Sequence, residues 1–320
     1  MHAKTLWHIS KTSSELRTNE LILNEKNILV KSLFSLISTG TERTIASGKV
    51  PKKLYAAMKV PYMKGKFDFP TTYGYSLVGK VVDGDEKLNG KYIHIMHPHQ
   101  DIISVHPDHC FIIPEEITPQ RAALASNMET VVNALWDSKV VNGNKVLVVG
   151  FGIIGALLAN VLKNVGASVS ILETNRQRIS HAQKLGFHCT SNSSELVVDF
   201  EIAYNTSANA SGLQQCIDLV GYEGKVIELS WYGDKKVTLD LGSSFHSQRK
   251  QIISSQVSNI PEYKKPEWDY KKRKAYVFEL LQDNAYDNFI TKEVSFENTP
   301  VFFDTLRNAT INELGIIIKY

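Results

Sequence analysis

The sequence predicts a mixed α/β chain: a β-rich N-terminal domain, then a parallel sheet flanked by helices. Three observations predict it. Residues 146–149 are a short apolar run that reads as a buried parallel strand. The run leads into Gly150-Phe151-Gly152-Ile153-Ile154-Gly155, a G-x-G-x-x-G spacing, and then into a helical pattern over residues 156–164. A second strand pattern, residues 168–172, ends on Glu173, eighteen positions after Gly155 (173 − 155). That is where a dinucleotide fold places the carboxylate that takes the adenosine ribose hydroxyls.

Each element can be justified in order. Residues 27–35, 77–82 and 91–96 are short strand-like runs, punctuated by Asp83-Gly84-Asp85 and Asn89-Gly90. They lack a strand–helix–strand rhythm, so residues 1–127 are expected to form a domain of their own. Pro114 and Pro119 mark the transition, and residues 122–138 read as a helix leading into the nucleotide strand. In the turn, Gly150 permits the tight bend, Gly152 lets a pyrophosphate approach the backbone, and Gly155 lets helix pack on strand. The helix start then offers N–H groups and the positive end of its dipole.

Residues 177–185 read as the next helix, with Gly186 as its stop. Strand, helix, strand follow at 200–204, 213–220 and 225–229, and residues 251–255 read as the last strand of a domain spanning 128–258. The loops after these strands, with Ser207 and Ser230, are expected to border the nicotinamide half of the cofactor. Residues 259–320, with a helix at 275–281 and a strand at 315–320, are expected to return to the first domain.

Composition bounds the function. With 43% hydrophobic and 22% charged residues, the chain reads as a soluble globular protein. A net charge of +3 does not suggest a nucleic-acid partner, and the basic run at 264–274 reads as a solvated face. Residues 146–162 are nearly all apolar, but they carry three glycines and Asn160 and fall short of the ~20 residues of a membrane span. Cys110, Cys189 and Cys216 form no paired motif and the N-terminus has no secretory pattern, so the cytoplasm is expected.

In Ser38-Thr39-Gly40-Thr41-Glu42, in Gly74-Tyr75-Ser76-Leu77-Val78-Gly79, and in Gly150–Gly155 with Glu173 and Arg178, the chain resembles the medium-chain dehydrogenase/reductase superfamily. These are the zinc-type alcohol dehydrogenase relatives, and the resemblance runs over essentially the full length. Its nearest branch is the bacteriochlorophyllide dehydrogenase-like group. The resemblance implies a GroES-like catalytic domain before the Rossmann domain, NAD(P)-dependent hydride transfer, and a homodimer.

It also implies a catalytic zinc, and here the chain departs. At the ligand positions stand Thr39, Tyr75, Ser76 and Ser126, none an ordinary zinc ligand. No zinc is therefore expected, and no metal ligand is assigned. His94, His97 and His99 leave a metal site conceivable, but Pro98 interrupts their alternation; the other reading has His97 and His99 as loop residues near substrate. Thr41 falls at the hydroxyl position that begins the family's proton relay. Tyr75 is read either as a hydrogen-bond donor to a substrate oxygen or as a core aromatic capped by backbone. Glu42 matches the family's Asp and is expected to support rather than react.

Glu173 favours NAD over NADP, because a carboxylate repels a 2′-phosphate; Arg178 matches a family basic residue that accompanies NAD as well. The expected enzyme is a zinc-independent oxidoreductase acting on a carbonyl, an alcohol or a conjugated enone. The rival is a non-catalytic dinucleotide sensor or scaffold. Lys49, Lys52, Lys53, Lys59, Lys64 and Lys66, interleaved with Tyr55, Tyr62 and Phe67, form either a solvated loop or a flap steering a bulky or anionic small-molecule substrate.

Overall fold

The computed structural model describes residues 1–196 and 199–320. They divide into two compact units. Residues 1–126, 274–311 and 315–320 form one, and residues 127–273 with 312–314 form the other. Residues 259–273, expected in the returning segment, thus group with the nucleotide unit. Among the described residues no helix is long and apolar enough to cross a membrane.

The second unit is built on six parallel strands. Their order is His188–Thr190, Ser168–Leu172, Lys145–Val149, Phe200–Asn205, Val220–Glu228, Gln251–Ser254. Numbered along the unit this is 3-2-1-4-5-6, the order of dinucleotide-binding sheets, with the reversal between Lys145–Val149 and Phe200–Asn205. Val146, Leu147 and Val148 are completely buried, as a central parallel strand covered on both faces must be. The helix Ile153–Val165 buries eight of its residues, Ile153 to Leu162 among them, and stops at Gly166 with φ +88°. Leu213, Cys216 and Ile217 of the helix Ala210–Leu219 join Leu147, Val149, Ala203 and Val226 in one apolar cluster. The carboxyl ends of the strands open into the loops that carry Gly150, Glu173, Asn205 and Glu228.

In the first unit a seven-stranded sheet runs in the order Ile290–Ser295, Gly315–Lys319, Ile28–Ile37, Leu77–Asp83, Tyr92–Ile95, Phe111–Ile112, with Ile102–Val105 pairing the first part of Ile28–Ile37. Only the pair Ile290–Ser295 and Gly315–Lys319 is parallel. A separate antiparallel pair joins His2–His8 to Ser14–Glu20. Ile28, Val30, Leu77, Val81, Ile93 and Ile95 fill one core, while Phe302, Phe303 and Leu306 of the helix Thr299–Asn308 pack with Ile37, Ile316 and Ile318 in another. The segment with the interleaved lysines has Lys52, Lys53, Lys59, Lys64 and Lys66 exposed and Phe67 buried, its ring 5.3 Å from Tyr55 and 6.0 Å from Tyr73.

Candidate functional site

The glycine turn of the nucleotide unit is shaped by contact. A Cβ on Gly155 would fall 2.0 Å from the Gly150 carbonyl oxygen, so the helix start sits directly on the turn. At Gly150, φ is +96°, and Thr206 Oγ1 and the Ser207 backbone crowd the same side. Gly152 is different: the nearest atom to a Cβ there is Arg178 Nη1 at 3.6 Å, which leaves the outer face approachable by a ligand. No side chain caps the helix Ile153–Val165. The first N–H groups of a helix, here those of Ile153, Ile154 and Gly155, lack intrahelical partners and favour an anion. Thr206 donates its hydroxyl to the Gly150 carbonyl at 2.9 Å and ties the fourth strand to the turn.

Glu173 follows the second strand and is nearly buried. Its Oε1 accepts the N–H groups of Thr174 at 2.7 Å and Asn175 at 2.8 Å, and its Oε2 accepts that of Phe151 at 2.6 Å. The carboxylate therefore clasps the glycine turn, and Oε2 retains a lone pair. Arg178 lies 4.0 Å from Oε2 and donates to the carbonyls of Asn312 and Glu313 at 3.1 and 3.2 Å. Turn, open glycine, helix start and carboxylate together fit a dinucleotide.

At the ends of the fourth and fifth strands, Ser207 Oγ donates to Asn205 Oδ1 at 2.7 Å, and Ser230 Oγ donates to the Asn205 carbonyl at 3.2 Å. Ser207 and Ser230 thus brace one loop pair, half-exposed at the carboxyl edge of the sheet.

In the first unit the structure brings Thr41 and Tyr75 together. The side chains of Ser38 and Thr41 neighbour the Tyr75 hydroxyl and favour its phenolate. Burial and, after it, the nearby Glu42 charge outweigh them and push the Tyr75 pKa up to about 12. Tyr75 stays partly exposed. The second reading of Tyr75, a phenol capped by backbone, is not the arrangement found.

Glu42 is fully buried: Oε1 accepts the Ser38 N–H and Oε2 faces His99 Nε2, each at 2.8 Å. His99 Nδ1 meets Ser35 Oγ at 2.8 Å, and that hydroxyl meets the Tyr320 hydroxyl at 2.8 Å. His99 lies in the loop the sequence suggested, but as a buried partner of Glu42. His97 is nearly buried, its Nδ1 on the Pro98 carbonyl at 2.7 Å and its ring 5.0 Å from Tyr62. The Glu42–His99–Ser35–Tyr320 chain was invisible in the sequence, because its members lie 57 to 285 positions apart.

Two of the hydroxyls at those ligand positions, Ser76 and Ser126, are turned to protein partners. Ser76 Oγ donates to the Ala123 carbonyl at 2.6 Å and Ser126 Oγ to the Tyr75 carbonyl at 2.8 Å. With both protons used, His94 Nε2, 3.0 Å from Ser76 Oγ, carries the hydrogen, and Nδ1 is left buried without a hydrogen-bond partner. Burial holds the His94 pKa well below the usual value, with Lys274 adding to it. Neutral hydroxyls are poor Zn²⁺ ligands beside thiolate and imidazole, so this donor set does not fit a catalytic zinc. His94, His97 and His99 have three separate sets of partners, and among the described residues no group of three or more His, Cys, Asp or Glu is arranged to hold a metal.

No protein-family model matches the chain. Over 203 residues it is 25% identical to D-guloside 3-dehydrogenase of Shigella flexneri, covering 59% of this chain and 58% of that protein. Over 80 residues it is 34% identical to sorbitol dehydrogenase of Rattus norvegicus, covering 25% of this chain and 22% of that protein. The chain thus matches less than two thirds of the length of these curated relatives. Among solved structures it is similar to 2R,3R-butanediol dehydrogenase from Bacillus subtilis, with TM-score 0.77 at 18% identity over 100% of both chains. It is also similar to a short chain alcohol dehydrogenase from E. coli complexed with NADH, with TM-score 0.77 at 15% identity over 100% of this chain and 99% of that one. S. aureus TarJ in complex with NADPH aligns at TM-score 0.74 and 15% identity over 100% and 99% of the chains.

Proposed function

From a chain that has the two-domain fold of the medium-chain dehydrogenase/reductase superfamily, we propose an oxidoreductase that uses NAD(H), needs no zinc, and moves hydride between cofactor and a small alcohol or carbonyl compound. The dehydrogenases it matches make diols and sugar alcohols or their ketones the first substrates to try, with conjugated enones next. A nicotinamide bound at the glycine turn supplies or receives the hydride.

The observation that carries the reading is the hydroxyl group of three, Ser38, Thr41 and Tyr75. Hydride transfer to a carbonyl builds negative charge on oxygen, and a preorganised donor is needed there. Tyr75 can donate, since its pKa of about 12 keeps it protonated at neutral pH, with the Ser38 and Thr41 hydroxyls beside it. As Tyr75 yields its proton, Thr41 and Ser38 stabilise the phenolate and begin the path to solvent. Glu42, bound to His99 and to the Ser38 backbone, fixes the segment that carries them.

Glu173 and the glycine turn support NAD over NADP, because the carboxylate oxygen left for the ribose would face a 2′-phosphate. The full reading includes a homodimer in the cytoplasm. A specific observation favours one rival, a dinucleotide sensor without turnover: hydroxyls occupy the zinc-ligand positions, and the polarising metal has no replacement of equal charge.

The test uses full-length protein, freed of metal by chelator and assayed for absorbance at 340 nm with NAD⁺ or NADH against diols, sugar alcohols and ketoses. Turnover without zinc is expected. Stoichiometric zinc by elemental analysis, with activity lost on chelation and restored by Zn²⁺, would overturn the metal-free mechanism. Tight NADH binding with no turnover of any compound would favour the sensor.

A further inference from the structure

Glu228 ends the fifth strand of the parallel sheet, across the strand-order reversal from the strand that precedes Glu173. Its surroundings are built for an anion. Oε1 accepts the Ser230 N–H at 2.7 Å, and Oε2 accepts Asn205 Nδ2 at 2.7 Å and the Tyr232 hydroxyl at 3.0 Å. The Asn205 amide has only one sensible orientation, since its Oδ1 takes the N–H and hydroxyl of Ser207 at 3.2 and 2.7 Å, leaving Nδ2 for Glu228. Asn205 is fully buried, while Glu228 remains partly exposed. Every neighbour donates and none accepts from it, the environment of an ionised carboxylate. Burial and then the Glu228 charge raise the Tyr232 pKa, so that neighbour stays a donor.

Ligands of such sheets sit outside the carboxyl ends of the strands, and the two halves of a dinucleotide divide at the reversal. Strands one to three carry the adenosine side with Glu173, and strands four to six the nicotinamide side with Asn205 and Glu228. The oxidised nicotinamide ring carries a positive charge that the reduced ring lacks. A fixed anion on that side interacts with the two forms unequally, and only such a difference can shift a preference between them.

We propose that Glu228 determines redox-state specificity, its carboxylate favouring binding of the oxidised, cationic nicotinamide over the reduced one. This rests on the dinucleotide reading and deepens it. The competing explanation is a brace: Glu228 could merely join the loops after Asn205 and Glu228. A brace would treat oxidised and reduced cofactor alike.

The experiment measures dissociation constants of NADH by fluorescence, and of NAD⁺ and ADP-ribose by competition, at low salt. It compares wild type with Glu228→Gln and Tyr232→Phe, with thermal melting alongside. Glu228→Gln is expected to weaken NAD⁺ about tenfold relative to NADH, as one charge a few ångströms from the ring would, and to leave ADP-ribose unchanged. Tyr232→Phe keeps the carboxylate and is expected to keep the wild-type ratio. Equal changes in NAD⁺ and NADH, no change in either, or the same ratio shift in both variants would each overturn the proposal in favour of the brace. If wild type binds none of the three ligands, the dinucleotide reading falls and takes this inference with it.

Discussion

At the scale of single residues, the phenol of Tyr75 beside Ser38 and Thr41 is the most exacting arrangement in the first unit. Tyr75→Phe removes the donor, and losing one preorganised donor typically costs on the order of 10²–10³ in turnover. Thr41→Val removes one of the two hydroxyls that steady the phenolate and is expected to cost less. Steady-state assays of both variants after chelation check this, and full activity in both would remove the pair from the mechanism. Cofactor choice belongs to the same scale. With three backbone N–H groups on Glu173, its remaining oxygen lone pair accepts a ribose hydroxyl and repels a phosphate. NADH should bind at least about tenfold tighter than NADPH, the difference one unfavourable charge contact makes; equal affinities by fluorescence titration would contradict it. Thr41, Tyr75 and Glu173 were legible because each sits inside a short local motif. His99 was not, since nothing near position 99 announces Glu42, 57 positions away.

At the scale of elements, five of the six parallel strands were readable because buried strands are apolar runs punctuated by glycines, while the three-residue strand His188–Thr190 was too short to signal itself. The strands His2–His8 and Ser14–Glu20 were missed because their burial alternates unevenly and Ser14–Glu20 is polar but for Leu16. The helix Thr39–Ala46 was missed for another reason: its apolar residues are too few for a periodic signal, and its place in the fold comes from Glu42, Ile45 and Ala46 turned inward. The glycine turn yields the prediction proper to an element. Gly155→Ala puts a methyl 2.0 Å from a carbonyl oxygen, which cannot be relieved without moving the helix start. The variant should lose stability by about 1–3 kcal/mol, the usual cost of overpacking, and lose NADH affinity with it. Gly152→Ala meets only the Arg178 guanidinium at 3.6 Å, so it should fold normally and lose NADH alone. Chemical denaturation and NADH titration of the two variants separate the roles; identical behaviour would refute the assignment.

At the scale of the whole molecule, buried histidines set the response to acid. Burial pushes the pKa of His97 down to about 4 and that of His8 to about 3. In the unfolded chain both titrate near the ordinary ~6.5. A depressed histidine contributes its full stability above ~6.5 and loses it as pH falls, because the unfolded state then binds the proton that the folded state refuses. Between ~6.5 and 4 each should cost about 1.4 kcal/mol per pH unit. Melting temperatures should therefore fall steadily from pH 7 to pH 5, and less steeply in His97→Gln; a flat profile would show the rings are not buried neutral.

The pairing of Gly315–Lys319 with Ile28–Ile37 bears on how the chain is made. A ribosome delivers residues 28–37 early and 315–319 only after the whole six-stranded nucleotide sheet. Through that interval Phe34 and Ser35 find Val78 and Leu77 on one side, but Phe34, Ser35, Leu36 and Ile37 have no partner on the other. An open, apolar sheet edge is a template for any passing strand. The nascent protein must carry this unfinished seam past the emergence of a complete second sheet, and only the arrival of Ile316, Ile317 and Ile318 closes it.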